Sequence, residues 1–249
     1  MDLVSVIVPY FKKKQFIRQT IESILSQTYD KFEILIIDDE NSNISKNLLI
    51  KISKLDKRIT ILTNKRNLGA GKSRNIGISK SKGIFVAFCD SDDLWDKNKL
   101  NYQILKMKRL KLDISSTDYK IIDEKNNFTG KRENPRNIKF KNLLNSCDIG
   151  LSTVVIRRSL LDNLKYCFPN LKTKEDYVLW LKITKDKVII KNFNKKLTSW
   201  RNCNNSLSSS TFQKLLDGYR VYRYYLNYGF IHSIIRLIIL SINYLKKKI

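Results

Sequence analysis

Glycine and proline are scarce, at 8 and 3 of 249 residues. That scarcity excludes a collagen-like repeat or a linker-rich chain, both of which need these residues in bulk. Cysteine is sparse too: Cys89, Cys147, Cys167 and Cys203 are the whole complement, and no two are spaced as a CxxC pair. A zinc site or a disulfide framework is therefore poorly supported. Acids are outnumbered, 23 against 48 Lys and Arg, for a formal net charge of +25. The basic residues are spread along a chain rich in Lys, Asn and Ile, which points to compositional bias as the main source of the excess. No nucleic-acid-binding motif accompanies them, so no nucleic-acid partner is expected. A positive surface is nonetheless attracted to anionic lipid whatever its origin. Residues 3–8 are already strand-like, with no basic region or cleavage site of a signal peptide, so the expected location is cytoplasmic with free thiols.

What the chain does have is apolar content, 42% of residues, enough for a substantial core. Its length suits one large α/β domain with a short appendage. Strand-like runs at residues 3–9, 32–37, 59–62 and 83–89 alternate with helical spacing at residues 16–27, at Leu48, Leu49, Ile52 and Leu55, and at Leu100, Ile104, Leu105 and Met107. Such alternation predicts a doubly wound, mostly parallel sheet. Residues 126–142 are polar and aperiodic and read as an exposed insertion or loop. Residues 151–156, 188–190 and 197–200 read as strands, and residues 175–183 as a helix. In the tail, Ile231, Ile234, Ile235, Ile238, Ile242 and Leu245 share one helical face, preceded by several tyrosines and followed by Lys246-Lys247-Lys248. This stretch falls short of the ~20 apolar residues that span a bilayer, and Arg236 interrupts it. An interfacial helix over residues 230–248, with Tyr at the headgroup level, fits better.

Two of the strands end in acids, Asp38-Asp39 and Asp90-Ser91-Asp92-Asp93. Ligands of doubly wound sheets sit beyond the carboxyl ends of the strands. A single acid there caps the next helix; two clusters argue for a site. Hard divalent cations choose carboxylate oxygens and can neutralise charge growing on a departing diphosphate. Arg74 follows a glycine-containing loop, where a helix start favours phosphate. Glu175-Asp176 opens a helix. Acids there are favourable without any function; as catalysts, one would be a general base.

Three elements, taken together and in order, resemble the family-2 glycosyltransferases. They are Val4-Ser5-Val6-Ile7-Val8-Pro9 with Glu33-Ile34-Leu35-Ile36-Ile37-Asp38-Asp39; Asn67-Leu68-Gly69 and Ser73-Arg74-Asn75-Ile76-Gly77 with Asp90-Ser91-Asp92-Asp93-Leu94-Trp95; and Glu175-Asp176-Tyr177 with Leu179-Trp180-Leu181. The resemblance implies the GT-A fold, a Rossmann-like sheet with a C-terminal helical appendage. The catalytic domain is expected over residues 1–210, with a nucleotide-sugar half to about 115 and an acceptor half from 116, and the appendage over residues 211–249. It implies transfer from a nucleotide-diphosphate sugar, UDP-sugar first, to a glycan or glycolipid hydroxyl with inversion, in cell-surface polysaccharide synthesis at the inner membrane face. By resemblance, Pro9, Phe11 and Asp39 hold the base and ribose, and Arg74 lies near the nucleotide. Asp90 and Ser91 face the donor, while Asp92, with Asp90, holds Mn²⁺ or Mg²⁺. Asp176 is the expected base, Glu175 the runner-up, and Trp180 packs behind. Two departures stand out: Phe11-Lys12 replaces a usual Tyr-Asn pair, and Cys203 replaces a His in the pattern running from Trp200 to Ser208. A metal-dependent nucleotidyltransferase and an inactive nucleotide-sugar-binding protein are the alternatives.

Overall fold

A computed structural model of the chain describes residues 1–162, 164–203 and 210–246. The first half follows the expected alternation: β1 (Val4–Tyr10), α1 (Ile17–Leu25), β2 (Phe32–Asp38), α2 (Asn43–Ser53), β3 (Ile59–Thr63), α3 (Ala70–Lys80) and β4 (Phe85–Phe88). These strands pair in parallel in the order β3-β2-β1-β4. After β4 come a short β5 (Leu94–Trp95), α4 (Lys99–Arg109), β6 (Ile114–Ile122), β7 (Phe128–Arg132), β8 (Asn137–Ile138), α5 (Phe140–Leu143), β9 (Val155–Arg157), α6 (Arg158–Leu161), α7 (Glu175–Lys185) and β10 (Ile190–Arg201). The sheet continues from β4 through β9, β6 and β10 to β5. β9 runs antiparallel to both β4 and β6, whereas β10 is parallel to β6. The result is a mixed, mostly parallel sheet.

Both faces of the sheet are buried, which is why its central strands read as continuous apolar runs instead of alternating ones. Successive side chains point to opposite faces. Val6, Val8, Ile34, Ile36, Phe85 and Ala87 join one core with residues of α1, α2 and α4. Ile7, Leu35, Ile37, Val86 and Phe88 join the other, with α7. Helix α3 covers this second face at close range: a Cβ on Gly77 would stand 2.6 Å from Ile7 Cγ2 and 3.1 Å from Ile37 Cδ1.

Several sequence expectations are corrected. Residues 126–142 are largely exposed, as expected, but form strands and not a loop: β7 forms a hairpin with β6 and β8 pairs with β10. Exposed hairpins of this kind bury little, so apolar alternation is weak; Phe128 itself is 63% exposed. The stretch at 151–156 opens as a 3₁₀ turn, Leu151–Thr153, and only Val155 onward is strand. The two short strands expected at 188–190 and 197–200 are one strand, β10, whose register slips between Phe193 and Thr198. That irregularity breaks the period-2 pattern. Leu55 lies beyond the end of α2, and Leu105 is exposed on α4.

The tail forms α8 (Thr211–Arg220), a π-helical turn at Val221–Tyr225 and α9 (Phe230–Lys246). Tyr222 is fully buried and donates to the carbonyl of Leu144 at 2.9 Å, so it is a core residue and not part of an interfacial belt. Lys247, Lys248 and residues 204–209, with Ser206 and Ser208 of the pattern noted above, lie outside the described residues.

The fit of α3 on β1 yields a test. Gly77→Ala gains ~1 kcal/mol of helix propensity but forces a methyl into Ile7. Overpacking of ~1–3 kcal/mol is expected to win, read as a lower denaturation midpoint. A more stable variant would show that α3 does not sit this close.

Candidate active site

Parallel pairing of β1, β2 and β4 brings their carboxyl ends to one edge, so the segments leaving them converge there. Pro9 is buried near the end of β1 and Phe11 follows it, partly exposed. Asp38 and Asp39 leave β2, and Asp90-Ser91-Asp92-Asp93 leave β4. Ser91 is buried.

The acids at this edge divide into two groups. Asp38 is fully buried and accepts from the Glu40 and Asn41 amides and, at 2.9 Å, from Ser45 Oγ, fixing the entry to α2. Asp39 turns inward as well. Its carboxylate accepts from the Leu68 amide at 2.7 Å, the Gly69 amide at 2.8 Å and Asn64 Nδ2 at 2.8 Å. It thereby shapes the loop before α3, where Gly69 adopts φ 85°, a left-handed backbone that suits glycine. Asp93 is buried, accepting from Ser152 Oγ and from the Arg201 amide. Burial, and then the charges of Asp92 and Asp90, push its pKa well above the usual carboxylate range.

The other acids meet cations. Arg74, only 4% exposed, donates from Nη1 to Glu175 Oε1 at 2.6 Å and from Nη2 to Asp90 Oδ1 at 2.7 Å. Burial works against its charge, but the two carboxylates more than reverse this, so its pKa is raised. Asn75 makes a paired contact with the backbone of Phe168, donating to its carbonyl at 2.8 Å and accepting from its amide at 3.0 Å. Arg74 thus docks the start of α7 onto α3, and Asn75 docks the segment at Phe168 that precedes it. Lys174, just before α7, holds φ 63°. A non-glycine residue there costs on the order of 1 kcal/mol, a strain that tends to mark functional sites.

Among the described residues no cation pairs with Asp176. It is partly open to solvent, and Oδ1 accepts from the next amide, Tyr177, at 2.7 Å. Desolvation, reinforced by the charge of Glu175 and partly offset by Arg74, pushes its pKa up to about 7. Trp180 is 1% exposed and stacks edge-on with Phe168 behind this helix.

Asp92 has its own surroundings. Lys13 Nζ lies 2.7 Å from Asp92 Oδ2, and Cys203 Sγ donates to the same oxygen at 3.6 Å. Burial, and then the Asp92 charge, raise the Cys203 thiol to about 11. Arg201 clamps the loop from behind, donating from Nε to the Asp92 carbonyl at 2.7 Å and from Nη1 to Asn126 Oδ1 at 2.7 Å, with its guanidinium over the Phe16 ring. Three participants escaped the sequence reading. Lys13 is hidden in a run of three lysines, Ser152 carries no motif, and Arg201 lies within a quoted pattern without a role attached to it.

This geometry has relatives. The family model for glycosyl transferase family 2 matches residues 5–164. WfgD of Escherichia coli, a UDP-Glc:alpha-D-GlcNAc-diphosphoundecaprenol beta-1,3-glucosyltransferase, is 37% identical over 214 residues, covering 86% of this chain and 82% of WfgD. WfaP of Escherichia coli, which bears the same activity in its name, is 35% identical over 87% of this chain and 84% of its own. Among solved structures, S. aureus TarS 1-349 in complex with UDP-GlcNAc shares the fold with a TM-score of 0.74 at 20% identity, over 97% of this chain and 72% of TarS 1-349. The mannosyltransferase PcManGT from Pyrobaculum calidifontis, in complex with GDP-Man and Mn2+, gives 0.68 at 14% identity, over 96% and 72%. The sheet edge described above thus falls largely within a matched family segment, and the likeness to WfgD runs nearly the length of both chains: this chain belongs to glycosyl transferase family 2 and is a glycosyltransferase.

Proposed function

We propose that the enzyme moves a hexose from a UDP-sugar to a hydroxyl of a lipid-linked sugar, inverting the anomeric carbon, with Asp176 as the base. The carrying observation is the division between adjacent acids: Glu175 is held by Arg74, while Asp176 reaches solvent with a pKa near neutrality. A general base works best when its pKa lies near the working pH. The names of WfgD and WfaP, with UDP-Glc as donor and a diphosphoundecaprenol-linked acceptor, support the donor and acceptor classes. They also support a workplace at the inner membrane face. Among the described residues no helix is long and apolar enough to cross a membrane. The catalytic unit in this reading spans residues 1 to about 210, with residues 211–249 as an appendage.

In the transfer step, Asp176 accepts the proton of the acceptor hydroxyl as its oxygen bonds to the anomeric carbon. The bond from that carbon to the phosphate oxygen breaks, and the diphosphate leaves with the electron pair. Attack opposite the leaving group turns an α-linked donor into a β-linked product. Pro9, Phe11 and Asp39 line the edge where the base and ribose would lie, with Asp39 acting through the loop it shapes. Arg74 keeps Asp90 turned toward the donor beside Ser91, and Lys13 adds a positive charge beside the diphosphate.

Asp92, with Asp90, would hold Mn²⁺ or Mg²⁺. The fit is partial: among the described residues no cluster of three His, Cys, Asp or Glu is placed to hold a metal by itself. The half-buried carboxylate of Asp92, paired with Lys13, supplies hard oxygen, and diphosphate oxygens would have to complete the set. Such a cation neutralises charge developing on the leaving diphosphate.

Two outcomes are expected. Asp176→Asn keeps donor binding and loses ~10²–10⁴-fold in kcat, whereas Glu175→Gln mainly lowers Tm, because Arg74 loses a buried partner. In the wild type, kcat/KM falls as pH drops below about 7, since the raised pKa of Asp176 protonates the base there. Full activity of Asp176→Asn with an inactive, stably folded Glu175→Gln would reverse the roles. Separately, Asp92→Asn is expected to fold normally, while isothermal titration shows weaker UDP binding and no gain on adding Mn²⁺. An unchanged Mn²⁺ effect would remove Asp92 from the metal site.

A further inference from the structure

The apolar stripe of α9 faces outward. Ile231, Ile234, Ile235, Ile238, Ile242 and Leu245 are 37–73% exposed, although they recur at helical spacing on one face. The opposite face makes the contacts. Leu240 is 5% exposed and Ser233 fully buried. Arg236 Nη1 donates to Asn145 Oδ1 at 3.3 Å, and Asn243 Nδ2 to the Asn145 carbonyl at 2.9 Å. Helix α8 approaches so closely that a Cβ on Gly218 would stand 2.8 Å from Leu237 Cδ1. Helix α9 is thus anchored by the mixed face that carries Ser233, Arg236, Leu240 and Asn243, and presents the isoleucine stripe. A contiguous exposed stripe of this size marks an interaction surface.

Charge selects the occupant. Residues 211–249 carry seven Lys and Arg and a single acid, Asp217. That acid is fully buried and bound by Thr173, Gln213 and Arg220. No described residue of the appendage therefore shows negative charge to solvent, whereas Arg223 and Lys246 are exposed. An apolar face rimmed by cations and free of exposed acids complements a surface that is anionic outside and hydrocarbon within. A second copy of this chain would bring like charge against like. At 17 residues, α9 is ~25 Å long at ~1.5 Å per residue, too short to cross a bilayer and suited to lying along one.

We propose that α9 is a docking foot that lies in the headgroup region of an anionic lipid bilayer, with the isoleucine stripe downward. The foot is coupled to the catalytic side of the molecule. The segment it grips, around Asn145, adjoins Leu143, whose carbonyl accepts from Tyr177 at 2.5 Å, one residue after Asp176. Docking therefore orients α7 relative to the lipid. The surface stands independently of the transfer reading, which can fail without it.

The test is flotation of the full chain with phosphatidylglycerol-containing and pure phosphatidylcholine vesicles, alongside sedimentation for oligomeric state. Wild type is expected to bind the anionic vesicles, to bind phosphatidylcholine weakly, and to lose binding as salt rises above physiological strength, where the Debye length falls below ~8 Å. The double variant Ile235→Asp/Ile238→Asp is expected to bind about tenfold or more weakly, since binding scales with buried apolar area. It should keep the wild-type Tm and its transfer rate to a water-soluble acceptor, because both positions are already open to water. Ile235→Gln/Ile238→Gln repeats the experiment without added charge. The proposal is overturned if wild type ignores anionic vesicles, if it binds both vesicles equally, if neither double variant weakens binding, or if wild type is a dimer that the substitutions split.

Discussion

The buried guanidinium of Arg74 joins two parts of the chain that the sequence separates by about a hundred residues. It reaches Asp90 in the loop after β4 and Glu175 at the start of α7. A charge so deeply buried is tolerable only with partners of good geometry, and Arg74 has two at 2.6–2.7 Å. Removing either would leave a buried cation half paired, so the loop after β4 and the start of α7 are held in one register. Because Glu175 is spent on this pair, the neighbouring Asp176 makes no ion pair of its own among the described residues, and the more distant charge of Arg74 only partly offsets its desolvation. Local electrostatics thereby give two adjacent acids different characters.

The sheet edge shows the same sorting. Eight acids cluster near it among the described residues, yet Asp38, Asp39 and Asp93 spend their carboxylates on hydrogen bonds that shape the surrounding backbone. Asp90 and Asp92 meet the cations Arg74 and Lys13, Asp176 accepts from the Tyr177 amide, and Glu40 ties the Lys12 amide back to the β2 loop. Arg201 and Ser152 then hold the Asp90–Asp93 loop from below. Most of these acids thus build the platform, and few are left for the transfer step we propose.

The parts of this arrangement legible in the sequence are those with strong periodicity or a marker at a strand end. The runs forming β1, β2 and β4, the helical faces of α1 and α7, and the outward stripe of α9 were all readable, because burial on a sheet or along a helix imposes a period. The hairpin β6–β7 was not: exposed β7 carries no apolar period, and β6 buries Ser115, Ser116, Thr117 and Asp118, polar residues that do not read as strand core. Strand β10 read as two pieces because its register slips in the middle. At the site, the acid clusters announced themselves by position, but which acid is free depends on partners distant in sequence. Nothing in the run Lys12-Lys13-Lys14 distinguishes Lys13, which alone of the three pairs with Asp92. Asp39 read as a ligand-facing acid, yet its hydrogen bonds run to a loop about 30 residues away.

The central claim is that Arg74 occupies Glu175 and leaves Asp176 as an acid that titrates near neutrality. The most direct measurement is a carbon-13 NMR titration of the Asp176 side-chain carboxyl in donor-free enzyme, in wild type and in Arg74→Gln. The account expects a midpoint near about 7 in wild type, moving upward in the variant as the favourable charge of Arg74 is lost. A wild-type midpoint in the ordinary carboxylate range near ~4, unchanged by the substitution, would contradict it.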